Sequence, residues 1–163
     1  MNRSIFLDTC IFFECLDDTR KQSILNHTLN CNYSIQTSIT VLGEFFDRVR
    51  SRPDQSDKVL SVLTLLRQWN VTALYPDDPV RILCFELGDD EIDTRMIREK
   101  TDRVHLAYAM SYGCTYFITS DSNLIKYRVP KLIEDKGFFK PVTLTLENFR
   151  KILDPKIPKF LGT

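Results

Sequence analysis

Two periods of apolar residues alternate along this chain, and the switches between them outline a run of short elements. SIFLD is a compact apolar stretch that predicts a first strand, and CIFFECLD directly after it predicts a short helix. A second helix is expected over TRKQSILNHTLN, opened by Asp18 or Thr19. YSIQTS has strand composition, and Ser38 can cap a helix from Ile39 to about Val49 that carries Ile39, Leu42, Phe46 and Val49 on one face. SDKVLSVLTLLRQW reads as a long amphipathic helix, VTALYP as a strand and DPVRILCFEL as the helix after it. Gly88 breaks the polar stretch GDDEIDTRMIREK, which includes a loop. From Thr101 a helix runs to about Tyr112 and stops at Gly113. TYFITSD is then a buried strand that delivers Asp121 at its end. A turn or helix around NLIKYR, a strand PVTLT and a short helix LENFRKIL complete the series.

Strands alternating with helices imply an α/β domain with a mostly parallel central sheet flanked by helices on both faces. The chain reads as one domain over 1–153 with a C-terminal tail over 154–163, without internal repeats or an interdomain linker. In open sheets of this kind, ligands bind beyond the carboxyl ends of the strands. Asp8 and Asp121 are expected at such ends, and Asp102 at a helix N-terminus.

Size and charge narrow the possible functions. A chain of 163 residues hides about 70% of its unfolded surface on folding, which is enough for a full core. The formal net charge is zero, so no global positive field holds nucleic acid non-specifically, and any such contact needs a local basic patch. The beginning MNRSIFLDTCIFF is interrupted by Asp8 and has no small-residue cleavage site, so no signal peptide is read. No stretch approaches the roughly 18 apolar residues of a membrane span. The cysteines Cys10, Cys15, Cys31, Cys84 and Cys114 are odd in number and mostly in apolar contexts. They read as free thiols that pack as small hydrophobes, in a reducing cytoplasm.

Asp8, Glu44, Asp102 and Asp121 are the candidate chemistry. Each also has an ordinary explanation: Asp8 as a helix N-cap, Glu44 as a solvated helical charge, Asp102 as a helix-dipole partner and Asp121 as a turn former. Brought to one end of a parallel sheet, however, four carboxylates repel one another and call for a divalent cation. A hard ion such as Mg²⁺ takes oxygen ligands, uses one or two protein carboxylates directly and keeps several waters. Thr9, Thr119, Ser120 and Asn123 are polar neighbours suited to such a site.

FLDTCIF, TSITVLGEF and TDRVHLAYAMSYGCTYFITSDSNL together resemble the motifs of the PIN-domain nucleases, a family that includes the VapC toxins of toxin–antitoxin pairs. The resemblance runs from about Ile5 to Phe149. It implies a Mg²⁺- or Mn²⁺-dependent ribonuclease with Asp8, Glu44, Asp102 and Asp121 as catalytic acids. Of these, Asp8, Asp102 and Asp121 would be metal ligands, and Thr9, Thr119 and Asn123 would support them. It also implies RNA as substrate, an antitoxin protein as partner and a homodimer. Many family members carry a further Asp where this chain has Asn123, which bears on a second metal ion more than on the first.

His105, one turn after Asp102, reads as a supporting or packing residue. Arg48 with Arg50 and Arg52, Arg98 and Arg103 with Arg95 and Lys100, and Lys126 with Arg128 and Lys131 are basic groups that either contact an RNA backbone or form solvated faces. Val62, Leu63, Leu66 and Trp69 read as core or as a dimer seam. The alternative from another class is a non-catalytic RNA-binding or scaffold protein with the same fold. A haloacid-dehalogenase-like phosphohydrolase is disfavoured because Thr9 and Cys10 follow Asp8, where that class needs Asp-x-Asp.

Overall fold

The apolar run that predicts the first strand forms the middle of the sheet. In the computed structural model, which describes residues 3–50, 53–87, 100–129, 131–138 and 140–154, strand β1 (Arg3–Leu7) is buried from Ser4 to Leu7. A strand covered on both faces belongs inside a parallel sheet with helices on each side. Its parallel neighbours are β2 (Tyr33–Ser38) and β4 (Tyr116–Ile118). Beyond these lie β3 (Thr72–Leu74) and β5 (Val142–Leu144), giving the order β3-β2-β1-β4-β5. All pairings among the described strands are parallel, so the fold is the expected α/β class.

Chain order runs outward from β1 in both directions, which puts a topological switch point between β1 and β4. Register sets Leu7 opposite Ile118, and the Asp8 N–H donates to the Ile118 carbonyl at 3.1 Å. Asp8 and Thr119 therefore leave the sheet side by side at its carboxyl edge.

Helices α1 (Thr9–Asp17) and α2 (Thr19–Asn30) connect β1 to β2, capped by the Asp8 and Asp18 side chains. α3 (Ile39–Arg50) begins directly after β2, where Ser38 Oγ accepts from the Val41 N–H. α4 (Gln55–Gln68) leads to β3, and α5 (Asp78–Glu86) follows β3. α6 (Lys100–Ser111) leads to β4, α7 (Ser122–Lys126) and α8 (Lys131–Asp135) lead to β5, and α9 (Leu146–Leu153) follows it. One continuous core joins them. In it Phe6 meets Phe117, Phe45 meets Phe12 and Phe13, and Phe149 meets Tyr33.

Several expectations change. The buried face of α3 is Val41, Phe45 and Val49, whereas Ile39 is 37% exposed and Leu42 and Phe46 are half-buried. The stripe spaced by four residues wins because Phe45 seats between Phe12 and Phe13 of α1. On α4, Val62 and Trp69 are buried, Leu66 is half-buried and Leu63 is exposed. β4 is shorter than TYFITSD and ends at Ile118, so Thr119 to Asp121 lie beyond the strand, between it and α7. α8 was not expected, since five residues carry too little periodicity to register. Gly88 and the stretch as far as Glu99 lie outside the described residues, as do 155–163 of the expected tail.

Gly113 ends α6 as expected. Its φ is +62°, and the Cys114 N–H reaches back to the Ala109 carbonyl at 2.9 Å, the six-to-one bond of a Schellman ending. Gly43 lies within helical α3, and an added Cβ would meet nothing within 4 Å at either glycine. Urea unfolding should therefore show Gly113→Ala destabilised by about 1–2 kcal/mol through left-handed strain. Gly43→Ala should be stabilised by about 1 kcal/mol through helix propensity.

Candidate active site

Four separate stretches of the chain deliver acids to the carboxyl edge of the sheet. Asp8 sits at the end of β1 as the N-cap of α1, Glu44 in the second turn of α3, Asp102 in the first turn of α6, and Asp121 at the N-cap of α7. They line one cavity of about 250 Å³ together with Thr9, Cys10, Arg48 and Ser120.

Asp8 is only 5% exposed. Its Oδ1 accepts from the Thr9 N–H at 2.8 Å and lies 2.9 Å from His105 Nδ1, while its Oδ2 accepts from Thr119 Oγ1 at 2.6 Å. Burial alone would push this carboxyl up, but the His105 ring, Thr119 and Thr9 together hold it below its ordinary value. Asp8 is thus an anion inside the protein. Because a carboxylate only accepts, His105 Nδ1 carries the shared proton.

Glu44 is held from two sides, by the Thr9 hydroxyl at Oε2 and by Arg48 one turn further along α3 at Oε1. Asp121 Oδ1 accepts from the Asn123 and Leu124 N–H groups at 2.6 and 3.3 Å. Its own N–H donates to Thr119 Oγ1 at 3.0 Å. Thr119 therefore joins Asp121 to Asp8, as Thr9 joins Asp8 to Glu44.

Apart from the Cys10 thiol, the donor set facing the cavity is hard oxygen, with Arg48 as the guanidinium on the rim. Among the described residues no three His, Cys, Asp or Glu side chains converge closely enough to enclose a metal ion on their own. The arrangement suits a hydrated Mg²⁺ or Mn²⁺ ion, which needs only one or two protein carboxylates and keeps its remaining waters.

Other expected residues fall differently. Thr119 is buried beneath the cavity. Asn123 is exposed and reaches Asp121 through its backbone rather than its amide. Arg103 and Lys126 are not among the lining residues. Arg98, Arg95 and Arg52 lie outside the described residues. The cysteines are free, and Cys15 and Cys114 pack in the core as expected. Cys10 packs against the core and also faces the site, with Sγ 3.4 Å from Asp8 Oδ2 and accepting from the Ser120 N–H at 3.2 Å. Burial, with the Asp8 charge beside it, pushes its thiol up to about 11, so it stays protonated at neutral pH. His105 is 1% exposed and joins the site from below.

The PIN domain family model matches residues 5–130, and the chain belongs to the PIN domain family. Its fold is similar to that of a chain of VapBC-1 from nontypeable Haemophilus influenzae, at 14% identity and a TM-score of 0.65 over 88% of this chain and 98% of that one. VapBC2 from Rickettsia felis, solved bound to a DNA fragment from its promoter, is similar at 15% identity and a TM-score of 0.64 over 87% and 98%. PAE2754 from Pyrobaculum aerophilum follows at 14% and 0.57 over 96% and 92%. No curated protein gives a significant match. Among the described residues no helix is long and apolar enough to cross a membrane.

The depressed Asp8 carboxyl has a consequence for stability. A native value below the ordinary 3.8 contributes stability that is fully present well above that pH and is lost as pH falls through the native value. Urea midpoints measured from pH 7 to pH 3 should fall more steeply below about pH 4 for the wild type than for Asp8→Asn, which has no such proton to gain.

Proposed function

We propose that this protein is a divalent-metal-dependent ribonuclease that hydrolyses RNA phosphodiester bonds, acting in the cytoplasm as the toxin of a toxin–antitoxin pair. The reading rests on Asp8, Glu44, Asp102 and Asp121 lining a single cavity at the switch point of a PIN domain. Likeness to VapBC-1 and VapBC2 supports an antitoxin protein as partner, and a homodimer is proposed with it.

In this reading Asp8, Asp102 and Asp121 hold a Mg²⁺ or Mn²⁺ ion. When bound, the ion supplies positive charge against the developing negative charge on phosphate and makes a nearby water more acidic. The chain supplies the positioning. Thr119 and Thr9 fix the Asp8 carboxylate, and Thr9 also fixes Glu44. Glu44 holds the attacking water by hydrogen bond. Water adds to phosphorus, one ester P–O bond breaks, and the water's proton ends on the leaving oxygen. Arg48, with half of its side chain exposed at the cavity rim, faces the RNA phosphate and draws no sequence distinction. Arg103, Lys126 and Arg98 are proposed to extend this contact along the backbone.

Purified protein with Mn²⁺ or Mg²⁺ should cut single-stranded or structured RNA, and EDTA should stop it. Metal charge stabilisation is worth several kcal/mol, so Asp8→Asn and Asp121→Asn should each slow cleavage by about a hundredfold or more. Intact RNA across a broad panel with folded wild type and metal present would instead support a non-catalytic RNA-binding or scaffold role. In RNA-binding titrations Arg48→Ala should weaken affinity for all sequences alike and lower the salt slope by about one.

A further inference from the structure

We infer that His105 is a positioning residue that sets the Asp8 carboxylate and ties it to the helix carrying Asp102, an inference that rests on the divalent-cation reading of this site. His105 lies three residues after Asp102 on α6, so the two share a helix face. Its Nδ1 is 2.9 Å from Asp8 Oδ1, and its Nε2 is 3.7 Å from Glu44 Oε2. The ring therefore lies between acids from the end of β1 and from α3 while belonging to α6 itself. Thr9 closes the circuit from the other side, giving its N–H to Asp8 and its hydroxyl to Glu44.

Simple packing does not account for the ring. His105 is 1% exposed, and its Nε2 is buried with no hydrogen-bond partner among the described residues. An apolar side chain would fill the same space without that desolvation penalty. The imidazole is distinguished by its Nδ1 proton, which holds one Asp8 oxygen while Thr119 holds the other. With both oxygens fixed, Asp8 can turn only one set of lone pairs to the cavity. The same bond also links the β1 edge to α6 about one turn beyond Asp102. Hydrogen-bond partners that orient metal-ligating side chains act in this way.

Two substitutions separate this role from bulk. His105→Asn keeps an amide donor at the δ position, within reach of Asp8, whereas His105→Gln moves it to the ε position. Titration calorimetry with Mn²⁺ alone, with thermal melts of each protein, should show His105→Gln weakened about 10–100-fold and His105→Asn restored to near the wild-type affinity. Equal affinity in all three proteins, or equal loss in both variants, would overturn the assignment. Wild type that binds no Mn²⁺ would overturn the cation reading itself, which is a different failure from wild-type binding that ignores both variants. A second measurement needs no variant. Nitrogen-detected spectra of the wild-type imidazole should show Nδ1 protonated and the His105 ring signals shifting as Mg²⁺ is added, and an unprotonated Nδ1 or an unmoved ring would contradict the role.

Discussion

A buried anion at the centre of the sheet edge organises this molecule. Asp8 is almost wholly removed from water, and an isolated carboxylate there would protonate rather than stay charged. It stays charged because the Thr9 N–H, His105 and Thr119 arrive from three different elements with their hydrogens aimed at it. Those elements are fixed by the parallel register of β1 with β4 and by the packing of α6 beside them. The sheet thus supplies a charge, and the groups around the charge fix where the neighbouring acids stand.

Local structure and the proposed site coincide at Asp8, Asp121 and Glu44. The N-cap that starts α1 is Asp8, and the N-cap that starts α7 is Asp121, so two helix ends are satisfied by side chains that also face the cavity. Glu44 is carried on α3, whose apolar stripe is sunk against α1 and leaves the neighbouring position at the cavity wall. Threonines at 9 and 119 are shared between acids, so displacement of one carboxylate is felt by the next. The site is a connected polar network, the kind in which a single deletion costs more than its own bond.

Much of this arrangement is legible in the sequence because the relevant signals are local. The apolar run of β1, the Gly113 stop of α6 and the capping positions of Asp8 and Asp18 are each decided within a few residues. What the local pattern leaves undecided depends on distant partners. Apolar residues at 39, 41, 42, 45, 46 and 49 permit two adjacent stripes on α3, and only the rings of Phe12 and Phe13 choose between them. Cys10 stands in an apolar stretch, but the first turn of α1 carries it over the β4 edge to meet Ser120. His105 is surrounded in sequence by Arg103, Val104 and Leu106, while its partner Asp8 lies 97 residues away. Charge clusters such as Lys126 with Arg128 state a sign without stating which side of the fold receives it. The sequence leaves Arg48 between an RNA contact and a solvated face, and the structure pairs it with Glu44 four residues earlier on α3.

The proposed function requires the acids at this sheet edge to form one cation site around Asp8. Anomalous diffraction from crystals of the wild-type protein soaked in Mn²⁺ locates that ion. A single strong peak is expected in the cavity, in direct contact with an Asp8 oxygen and with Asp102 or Asp121. An empty cavity at saturating Mn²⁺, or a peak elsewhere with Asp8 still bound only to its protein partners, would contradict it.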